Sequence, residues 1–575
     1  TSENKPDTIM TLNRSNPDST GAAVEWLYRL SQQPHDKITG PLSGLTFAVK
    51  DNIDVAGVPT TAGCPAFAYM ADTHAGVVER ILGAGASLEG KTNLDQFACG
   101  LNGTRSPYGA VPNAINPDMI CGGSSAGSAY VVATGQVDFA LGTDTAGSGR
   151  VPAGLNNIVG LKPSKGLLSN RGVVPAARSA DCVSIFARTV STAVQVLLVA
   201  AGHDPLDPYS KDLHLNTEPF GNRFVFGVPD ELEFFGDTLS EEAFKQSIDQ
   251  LEALGGKKRI ISYAPLKQAA ALLYESALVA ERYEAIRDFF DTTSHAVIEP
   301  VRSIIAQGKQ YSAADLLEAQ TELRRLGQIA AVMWRDIDVL LVPTAPTSYT
   351  LREMQDNPVV LNRNLGTYTN FVNLLDYAAI SVPSTFRSDG QPFGVTFIAP
   401  SGSDLQLAEL AQCFHHATGL TQGATRQPLP ALDRILKSSA QSSVLVGVVG
   451  AHLSGMPLNY QLTERNATLV STTRTAADYQ LYALANTSPR KPGMIRVAPG
   501  KGSRIEVEVW QMPISDYGSF VAMIPGPLGI GTITLEDGRS VQGFVCEPFA
   551  LEGALDISSY GGWRPYVSSG AGGGE

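Results

Sequence analysis

Strand patterns and helical patterns alternate between residues 42 and 150, and this alternation restricts the chain to folds in which helices pack against a sheet. Residues 42–57, LSGLTFAVKDNIDVAG, predict a strand that ends in a turn. Residues 76–100 predict a helix and a short strand, and residues 127–150 predict a helix, a strand and a glycine-rich loop. The sequence therefore predicts an α/β layered fold.

The remainder of the chain divides at a change in composition. Long helical patterns are followed by strand patterns and one closing helix; the helical segments are 240–256 and 264–335, the strands 337–347, 378–386 and 391–400, and the helix 404–419. Residues 427–443 are rich in proline and serine, and strand patterns then dominate, including SFVAMI at 519–524. We predict domains at 1–436 and 444–568, a linker at 437–443 and a disordered tail at 569–575.

Charge and composition exclude several classes of protein. The net charge of −13 argues against broad binding of nucleic acid or of a membrane surface, because both need a basic face. The six scattered cysteines predict reduced thiols in a cytoplasmic protein. No apolar run approaches the roughly 18 residues of a membrane span, and no secretory pattern is present. Without an HExxH or zinc-type spacing, we expect neither a metal nor a cofactor.

Two segments combine glycine with serine: CGGSSAGSA at 121–129 and GTDTAGSGR at 142–150. Neither matches the GxSxG pattern of the common serine hydrolases, and no histidine lies near either in the sequence. A buried, unprotonated lysine can activate a serine instead. Lys50 follows the apolar run LTFAV at a predicted strand end and is the candidate, although a surface lysine is the better explanation of that position when it is taken alone.

Lys50 in AVKDN, the GGSSAGSA box and GTDTAGSGR followed by GLKPSKG together resemble the amidase signature family, over roughly residues 42–420. The resemblance implies a large mixed central sheet flanked by helices and acyl transfer from an amide. It also implies that Ser148 is the nucleophile, that Ser124 follows a cis peptide bond and bridges to the base Lys50, and that Ser125 supports them. In the same family pattern Gly122 and Gly123 contact substrate. The implied oxyanion donors are the N–H groups of Thr145, Ala146, Gly147 and Ser148.

More specific segments resemble the allophanate hydrolase branch of that family, for example NLLDYAAISVP at 373–383 and GAHLSGMPLNYQL at 450–462. This resemblance implies a small anionic amide, allophanate, as substrate. Tyr274 and Arg282 are eight residues apart in a helical pattern, so we expect them to share one face and, by the resemblance, to bind the substrate carboxylate. The C-terminal region resembles the γ-glutamyl cyclotransferase-like α+β fold, with His452 as its candidate catalytic residue, although a purely structural role remains open.

The resemblance also implies a homodimer and association with a urea carboxylase. Three alternatives stay open at this stage: another small-molecule amidase acting on biuret or malonamate, an amidotransferase-type subunit that relays ammonia to a partner, and a non-catalytic binding module. The presence of Lys50, Ser124 and Ser148 argues against the last. The sequence does not distinguish urea degradation from triazine degradation.

Overall fold

The computed structural model describes residues 24–30, 39–436, 443–485, 487 and 490–570, together with the backbone of residues 13–14. The chain divides into two compact units, Thr1–Leu436 and Lys437–Glu575. Residues 437–442 of the predicted linker and residues 571–575 of the predicted tail lie outside the described residues.

The first unit alternates strands and helices along its length. Its strands are β1 Asn13–Arg14, β2 Trp26–Arg29, β3 Thr46–Lys50, β4 Pro59–Thr60, β5 Tyr69–Met70, β6 Ser87–Thr92, β7 Phe139–Asp144, β8 Val159–Lys162, β9 Cys182–Ala187, β10 Phe224–Pro229, β11 Gly256–Ile261, β12 Val339–Pro343, β13 Tyr377–Phe386 and β14 Pro392–Pro400. Its α-helices are α1 Gly76–Gly83, α2 Ala126–Ala133, α3 Val151–Leu155, α4 Val190–Ala200, α5 Thr238–Ala253, α6 Ala264–Glu275, α7 Ala280–Ala285, α8 Arg287–Thr293, α9 Val301–Gln307, α10 Ala313–Ala331, α11 Leu351–Asp356, α12 Val360–Leu365, α13 Asn370–Leu374 and α14 Asp404–Ala417.

Twelve of these strands form one mixed sheet in the order β1-β2-β6-β3-β7-β9-β8-β13-β14-β12-β10-β11. The central strands are buried on both faces, which explains why their sequences are continuously apolar rather than alternating. Phe47 of β3 stacks on Phe139 of β7 with ring centroids 5.2 Å apart. The predicted α/β fold with a large mixed central sheet is confirmed.

The register of β3 and β7 places two predicted functional segments side by side. The two strands are parallel, with Val49 opposite Leu141. Lys50 ends β3, and the loop that carries Ser148 follows β7. Because parallel strands present their carboxyl ends at the same edge of a sheet, residues far apart in the sequence meet there.

The second unit is an α+β domain with its own buried core, which includes Val446, Val509 and Ile533. Its elements are β15 Ser443–Val448, α15 Tyr460–Thr463, β16 Thr468–Arg474, β17 Tyr479–Ala483, β18 Pro492–Arg496, β19 Glu506–Pro513, α16 Ile514–Val521, β20 Leu528–Thr534, β21 Ser540–Cys546, β22 Leu555–Asp556 and α17 Trp563–Ser568. They form a five-stranded sheet, β16-β19-β15-β21-β20, and a three-stranded sheet, β18-β17-β22.

One strand prediction in this unit is wrong. The segment SFVAMI at 519–524 begins in the last turn of α16 and leaves it at a turn. A short apolar run does not separate a strand from a buried helix segment. Here Phe520 is the buried residue of an amphipathic helix whose first turn carries Asp516, where a negative charge is favourable.

Close packing explains why residue 123 is glycine. A Cβ at Gly123 would lie 2.1 Å from Asp95 Oδ2 and 2.7 Å from the Gly103 nitrogen. We predict that Gly123→Ala lowers the free energy of unfolding by more than about 3 kcal/mol, because fixed backbone cannot move aside. Gly83→Ala is the matched control: nothing lies within 4 Å of its Cβ position, so this substitution in α1 should be neutral or stabilising. Chemical denaturation measures both, and equal stability of the two variants would contradict this explanation.

Candidate active site

Lys50 is fully buried at the end of β3 and makes two short hydrogen bonds. Its Nζ lies 2.7 Å from Ser124 Oγ and 2.7 Å from Thr143 Oγ1. Asn52 Nδ2 also donates to Thr143 Oγ1, at 3.1 Å. The hydrogen bond to Thr143 therefore fixes the amine in a position where it also contacts Ser124, the predicted bridging serine.

The surroundings of Lys50 bring its pKa close to neutrality. Burial disfavours the ammonium form and lowers the pKa from 10.5 to about 7, while nearby Asp95, Asp144 and Asp181 raise it in opposition and Arg282 lowers it further. A substantial fraction of the amine is consequently neutral near pH 7. A neutral amine has a lone pair that can accept the Ser124 hydroxyl proton.

The segment that carries Ser124 is fixed by its backbone. The Gly123–Ser124 peptide bond is cis, as the resemblance implies. Asp95 N–H donates to the Ser124 carbonyl oxygen at 3.0 Å. Ser125 Oγ donates to the Thr143 carbonyl oxygen at 3.2 Å, so it links this segment to the strand whose hydroxyl holds Lys50.

Gly122 and Gly123 are packed against protein. The Gly123 N–H donates to the Leu101 carbonyl oxygen at 2.8 Å, so it is not available to a substrate. Gly122 has φ of +81°, and a Cβ there would lie 2.9 Å from Pro152 Cα. Close backbone approach accounts for glycine at both positions, and their contact with a substrate stays a prediction.

Ser148 lies in the loop after β7 and is almost completely buried. Its Oγ donates to the Gly100 carbonyl oxygen at 3.4 Å, which is long for a hydroxyl hydrogen bond. Among the described residues no hydrogen bond joins Ser148 to Ser124. The two serines are thus both present at this edge of the sheet, but the structure gives no direct bond between them.

A buried ion pair organises the Ser148 loop. Arg150 Nε and Nη2 lie 2.9 and 3.0 Å from the two carboxylate oxygens of Asp144, and both side chains are fully buried. Burial would raise the pKa of Asp144, but Arg150 outweighs it and holds the pKa below its usual value. The same carboxylate accepts from the Gly147 N–H at 2.9 Å and from the Gly149 N–H at 3.1 Å.

This contact corrects the predicted set of oxyanion donors. The Gly147 N–H is occupied by Asp144, so it does not face a substrate. The backbone N–H groups of Thr145, Ala146 and Ser148 have no acceptor among the described residues. These three are the donors that remain for a developing oxyanion.

Asp181 is a second buried carboxylate beside this loop. Thr145 Oγ1 donates to Asp181 Oδ1 at 2.5 Å, and the N–H groups of Ala176 and Ala177 donate to the same side chain. Burial raises the pKa of this carboxyl, and these hydrogen bonds act in the opposite direction. Asp181 thereby fixes the side chain of the first remaining oxyanion donor, Thr145.

Tyr274 and Arg282 do meet, but not for the predicted reason. They do not share one helix: α6 ends before Ser276, whose backbone is extended at φ −135° and ψ 179°, and Arg282 lies on α7. The break brings Arg282 Nη2 to 2.9 Å from the Tyr274 hydroxyl. The guanidinium carbon lies 5.1 Å from the Tyr274 ring centroid.

The guanidinium of Arg282 is buried, and two of its three nitrogens are not hydrogen bonded to any described residue. The side chain is 4% exposed, and Nε and Nη1 have no hydrogen-bond partner among the described residues. Burial alone would lower the pKa of Arg282, but Tyr274 and nearby acidic groups raise it above its usual value, so the charge persists. A buried, fixed cation with unpaired donors is suited to an anionic ligand.

Sequence reasoning missed several residues that shape this site: Asp95, Thr143, Asp144, Arg150 and Asp181. Asp144 and Arg150 stand in the quoted segment GTDTAGSGR, six positions apart, and their opposite charges in a glycine-rich loop were an available signal. Asp181 had no local signal, because its partners come from another part of the chain.

His452 lies in the second unit, at the loop that follows β15. Its Nε2 is 2.8 Å from Gln461 Oε1, and its ring stacks on Phe544 at 5.0 Å between centroids. Burial lowers the pKa of His452 below 6.5, so the imidazole is neutral at pH 7. A cavity of about 210 Å³ adjoins it, and no carboxylate lines that cavity among the described residues.

The described residues were also compared with the predictions on metal sites, cysteines and membrane spans. Within the described ranges no group of three histidine, cysteine, aspartate or glutamate side chains could hold a metal ion. All six cysteines are free. In the part of the chain that the structure describes, no helix is long and apolar enough to cross a membrane.

Comparison with known proteins decides the family. Residues 15–408 match the amidase family, and residues 444–568 match the allophanate hydrolase C-terminal domain. The chain belongs to the amidase family. It is an amidohydrolase of that family, which favours an enzyme over the purely binding alternative.

Relatives from two groups resemble this amidase. Urea amidolyase from Saccharomyces cerevisiae is 44% identical over 94% of this chain, which spans only 30% of that protein's length. A glutamyl-tRNA(Gln) amidotransferase subunit from a Synechococcus strain is 33% identical over 71% of this chain and 90% of its own length. Among solved structures, allophanate hydrolase from Kluyveromyces lactis has 44% identity and a TM-score of 0.71, covering 94% of this chain and 90% of that one.

The pKa of Lys50 gives a testable pH dependence. Because the amine is protonated below about pH 7 and the ammonium has no lone pair, amide hydrolysis should fall by about tenfold per pH unit below 7. Lys50→Met should lower kcat by about 10³-fold with the fold retained. Lys245→Met, at an exposed lysine of α5, is the control and should leave the rate unchanged. Full activity of Lys50→Met, or a flat profile from pH 8 to 5, would contradict this role.

Proposed function

We propose that this amidase hydrolyses allophanate, and Arg282 carries the proposal. It is a buried cation whose Nε and Nη1 are unpaired, so either nitrogen can donate to a substrate carboxylate, and its charge lowers the pKa of Lys50. Tyr274 accepts from Nη2, which leaves the phenol proton free to donate to the same carboxylate. The likeness to allophanate hydrolase from Kluyveromyces lactis supports this substrate.

In the proposed mechanism Ser148 attacks the terminal amide carbon. Rotation about its Cα–Cβ bond moves Oγ from Gly100 towards Ser124. The Ser148 proton passes to Ser124 Oγ as Ser124 gives its own proton to neutral Lys50, which already lies 2.7 Å away. The lysine ammonium returns the proton by the same route to the departing nitrogen, so that ammonia leaves and an acyl-enzyme forms on Ser148.

The N–H groups of Thr145, Ala146 and Ser148 stabilise the oxyanion of the tetrahedral intermediate in this scheme. Loss of one such donor typically costs about 3 kcal/mol in transition-state stabilisation. Asp144 fixes this loop by accepting hydrogen bonds from the N–H groups of Gly147 and Gly149. The three oxyanion donors therefore need not reorganise during the reaction. Water then hydrolyses the acyl-enzyme and releases N-carboxycarbamate.

The C-terminal domain takes the second step in this proposal. The N-carboxycarbamate dianion gains a proton at nitrogen, its C–N bond breaks with the electron pair remaining on nitrogen, and carbon dioxide and carbamate result. Carbamate then takes up a second proton at nitrogen and decomposes to ammonia and carbon dioxide. His452, beside a small cavity in this unit, is the residue that we assign to this step.

The other sequence predictions stay predictions. These are the cytoplasmic location, the homodimer and the association with a urea carboxylase. The chain spans 30% of the length of each of the urea amidolyases that it matches. An amidotransferase-type role is less favoured, because the allophanate hydrolase C-terminal domain occupies residues 444–568.

Arg282→Gln tests the substrate. It removes the charged fork while keeping a polar side chain of similar length, so KM for allophanate should rise by about 100-fold. Biuret lacks a carboxylate, and its kcat/KM should change less than threefold when it is measured at about pH 9, where loss of the Arg282 charge leaves Lys50 mostly neutral. Malonamate carries one and should follow allophanate. Ammonia release from the three substrates measures these effects.

Arg287→Gln is the matched control, since Arg287 is an exposed arginine on the neighbouring helix α8. It should leave all three substrates unaffected. Equal losses on allophanate and biuret in Arg282→Gln would mean that Arg282 only supports the fold. Faster wild-type turnover of biuret than of allophanate would replace the proposed substrate.

A further inference from the structure

Asn373 is a fully buried asparagine that hydrogen bonds to both ends of the loop carrying Ser148. It lies in the short helix α13, at the first position of the segment NLLDYAAISVP. Phe371 of the same helix is buried against Tyr263, with ring centroids 6.0 Å apart. The chain then enters β13, a central strand of the twelve-stranded sheet. Asn373 is therefore held by packed elements on both sides in the sequence.

Both hydrogens and the oxygen of the Asn373 amide are engaged. Nδ2 donates to the Asp144 carbonyl oxygen at 2.8 Å and to the Ala180 carbonyl oxygen at 3.0 Å. Oδ1 accepts from Arg150 Nη2 at 3.0 Å. Because Nδ2 faces two acceptors and Oδ1 faces a guanidinium that can only donate, these partners define a single orientation of the amide.

The bond from Asn373 to Asp144 sets the direction of the Thr145 N–H. The peptide bond between Asp144 and Thr145 is planar and trans, so its carbonyl and its N–H point in opposite directions. Asn373 holds the carbonyl on its own side, and the Thr145 N–H is thereby directed to the other side. This N–H is one of the three oxyanion donors that have no acceptor among the described residues.

The bond from Asn373 to Ala180 connects this donor to its second support. Ala180 directly precedes Asp181, whose carboxylate accepts a hydrogen bond from Thr145 Oγ1 at 2.5 Å. The same amide nitrogen thus contacts the main chain just before Thr145 and the main chain just before Asp181. It fixes the spacing between the oxyanion donor and the carboxylate that holds its side chain.

Arg150, at the other end of the Ser148 loop, depends on the same part of the chain. Its Nη1 and Nη2 each lie 3.3 Å from the Thr369 carbonyl oxygen, one helical turn before Asn373. The ion pair between Arg150 and Asp144 is therefore braced from residues 369–373. Both ends of the loop are fixed to one short segment of the fold.

We infer that Asn373 is a positioning residue for the oxyanion: by holding the Asp144 carbonyl, it aims the Thr145 N–H at the oxygen of the tetrahedral intermediate. This rests on the proposed function, in which Ser148 attacks the amide carbon. Asn373 acts through the loop rather than on the substrate. Because the oxyanion forms only after attack, Asn373 should affect the transition state and not the binding of the substrate.

The first arm of the test measures kinetics in the full-length protein. Asn373→Ala removes all three hydrogen bonds, and kcat for allophanate should fall by about 10- to 100-fold, somewhat less than for outright loss of an oxyanion donor. KM should change by less than about twofold, because the contacts of Arg282 with the substrate are kept. Rates are corrected for the folded fraction, which thermal unfolding measures.

Asn157→Ala is the matched control. Asn157 is also buried, and its Nδ2 also donates to two carbonyl oxygens, those of Thr421 and Gly423, at 3.0 and 2.9 Å. Neither acceptor belongs to the Ser148 loop. Its φ of +58° adds strain to the alanine variant, so this control is a demanding one for stability. Its corrected kcat should stay within about twofold of wild type.

The second arm measures affinity for a mimic of the intermediate. A small alkylboronic acid forms a bond from boron to Ser148 Oγ, whose proton passes to Lys50, and becomes a tetrahedral anion. Its Kd, measured by calorimetry, should rise by about tenfold or more in Asn373→Ala and stay unchanged in Asn157→Ala. Binding should be lost in Ser148→Ala. A role confined to stability would leave the Kd of the folded protein unchanged.

Asn373→Leu is a second variant that keeps the branched shape of the side chain and removes only its hydrogen bonds. If both Asn373 variants match Asn157→Ala in kcat and in boronic acid affinity, the inference is overturned. If both are unfolded while Asn157→Ala is folded, Asn373 supports the fold as a whole, and the inference is likewise overturned.

Failure of the proposed function gives a different result. If wild type releases no ammonia from allophanate, the proposed substrate is wrong, and the boronic acid affinities alone decide the role of Asn373. Boronic acid binding that survives in Ser148→Ala would overturn the proposed nucleophile and this inference with it.

Discussion

The contact between the Lys50 amine and the Ser124 hydroxyl depends on taking a lysine out of water. At the end of β3 its Nζ is fully buried, and the loss of hydration is the largest influence on its pKa. Three carboxylates nearby, those of Asp95, Asp144 and Asp181, oppose that influence. Their balance brings the pKa of the amine close to 7, as the proposed mechanism requires of a base that accepts a proton and returns it.

Each of those carboxylates also has a structural partner, which limits its effect on Lys50. Asp144 is neutralised by the bidentate Arg150 and directs two backbone N–H groups. Asp181 is held by Thr145 and by backbone donors, and Arg282 acts on its charge. Arg282 in turn keeps two unpaired donors. Among these groups Arg282 is therefore the charge with unpaired donors, and it is the residue that we propose binds the substrate carboxylate.

The sequence was informative where a function depends on local pattern. Lys50 and the two serine-glycine segments predicted one shared site through the family resemblance, and the parallel pairing of β3 with β7 places Lys50 and the Ser148 loop at one edge of the sheet. The sequence was uninformative where contacts between residues determine the geometry of the backbone or of a side chain. The extended backbone at Ser276 breaks a helical pattern that predicted one continuous face. The bond from Gly147 to Asp144 depends on a side-chain orientation that the sequence does not specify.

Direct titration of the Lys50 amine is the most decisive measurement. Full-length protein with ¹⁵N-labelled lysine would be followed by NMR from pH 5 to 10, with the Lys50 signal identified by its loss in Lys50→Met. The account predicts that this one amine loses its proton with a midpoint near 7 while exposed lysines stay protonated. A Lys50 amine that remains fully charged at about pH 9, as an ordinary lysine does, would contradict it.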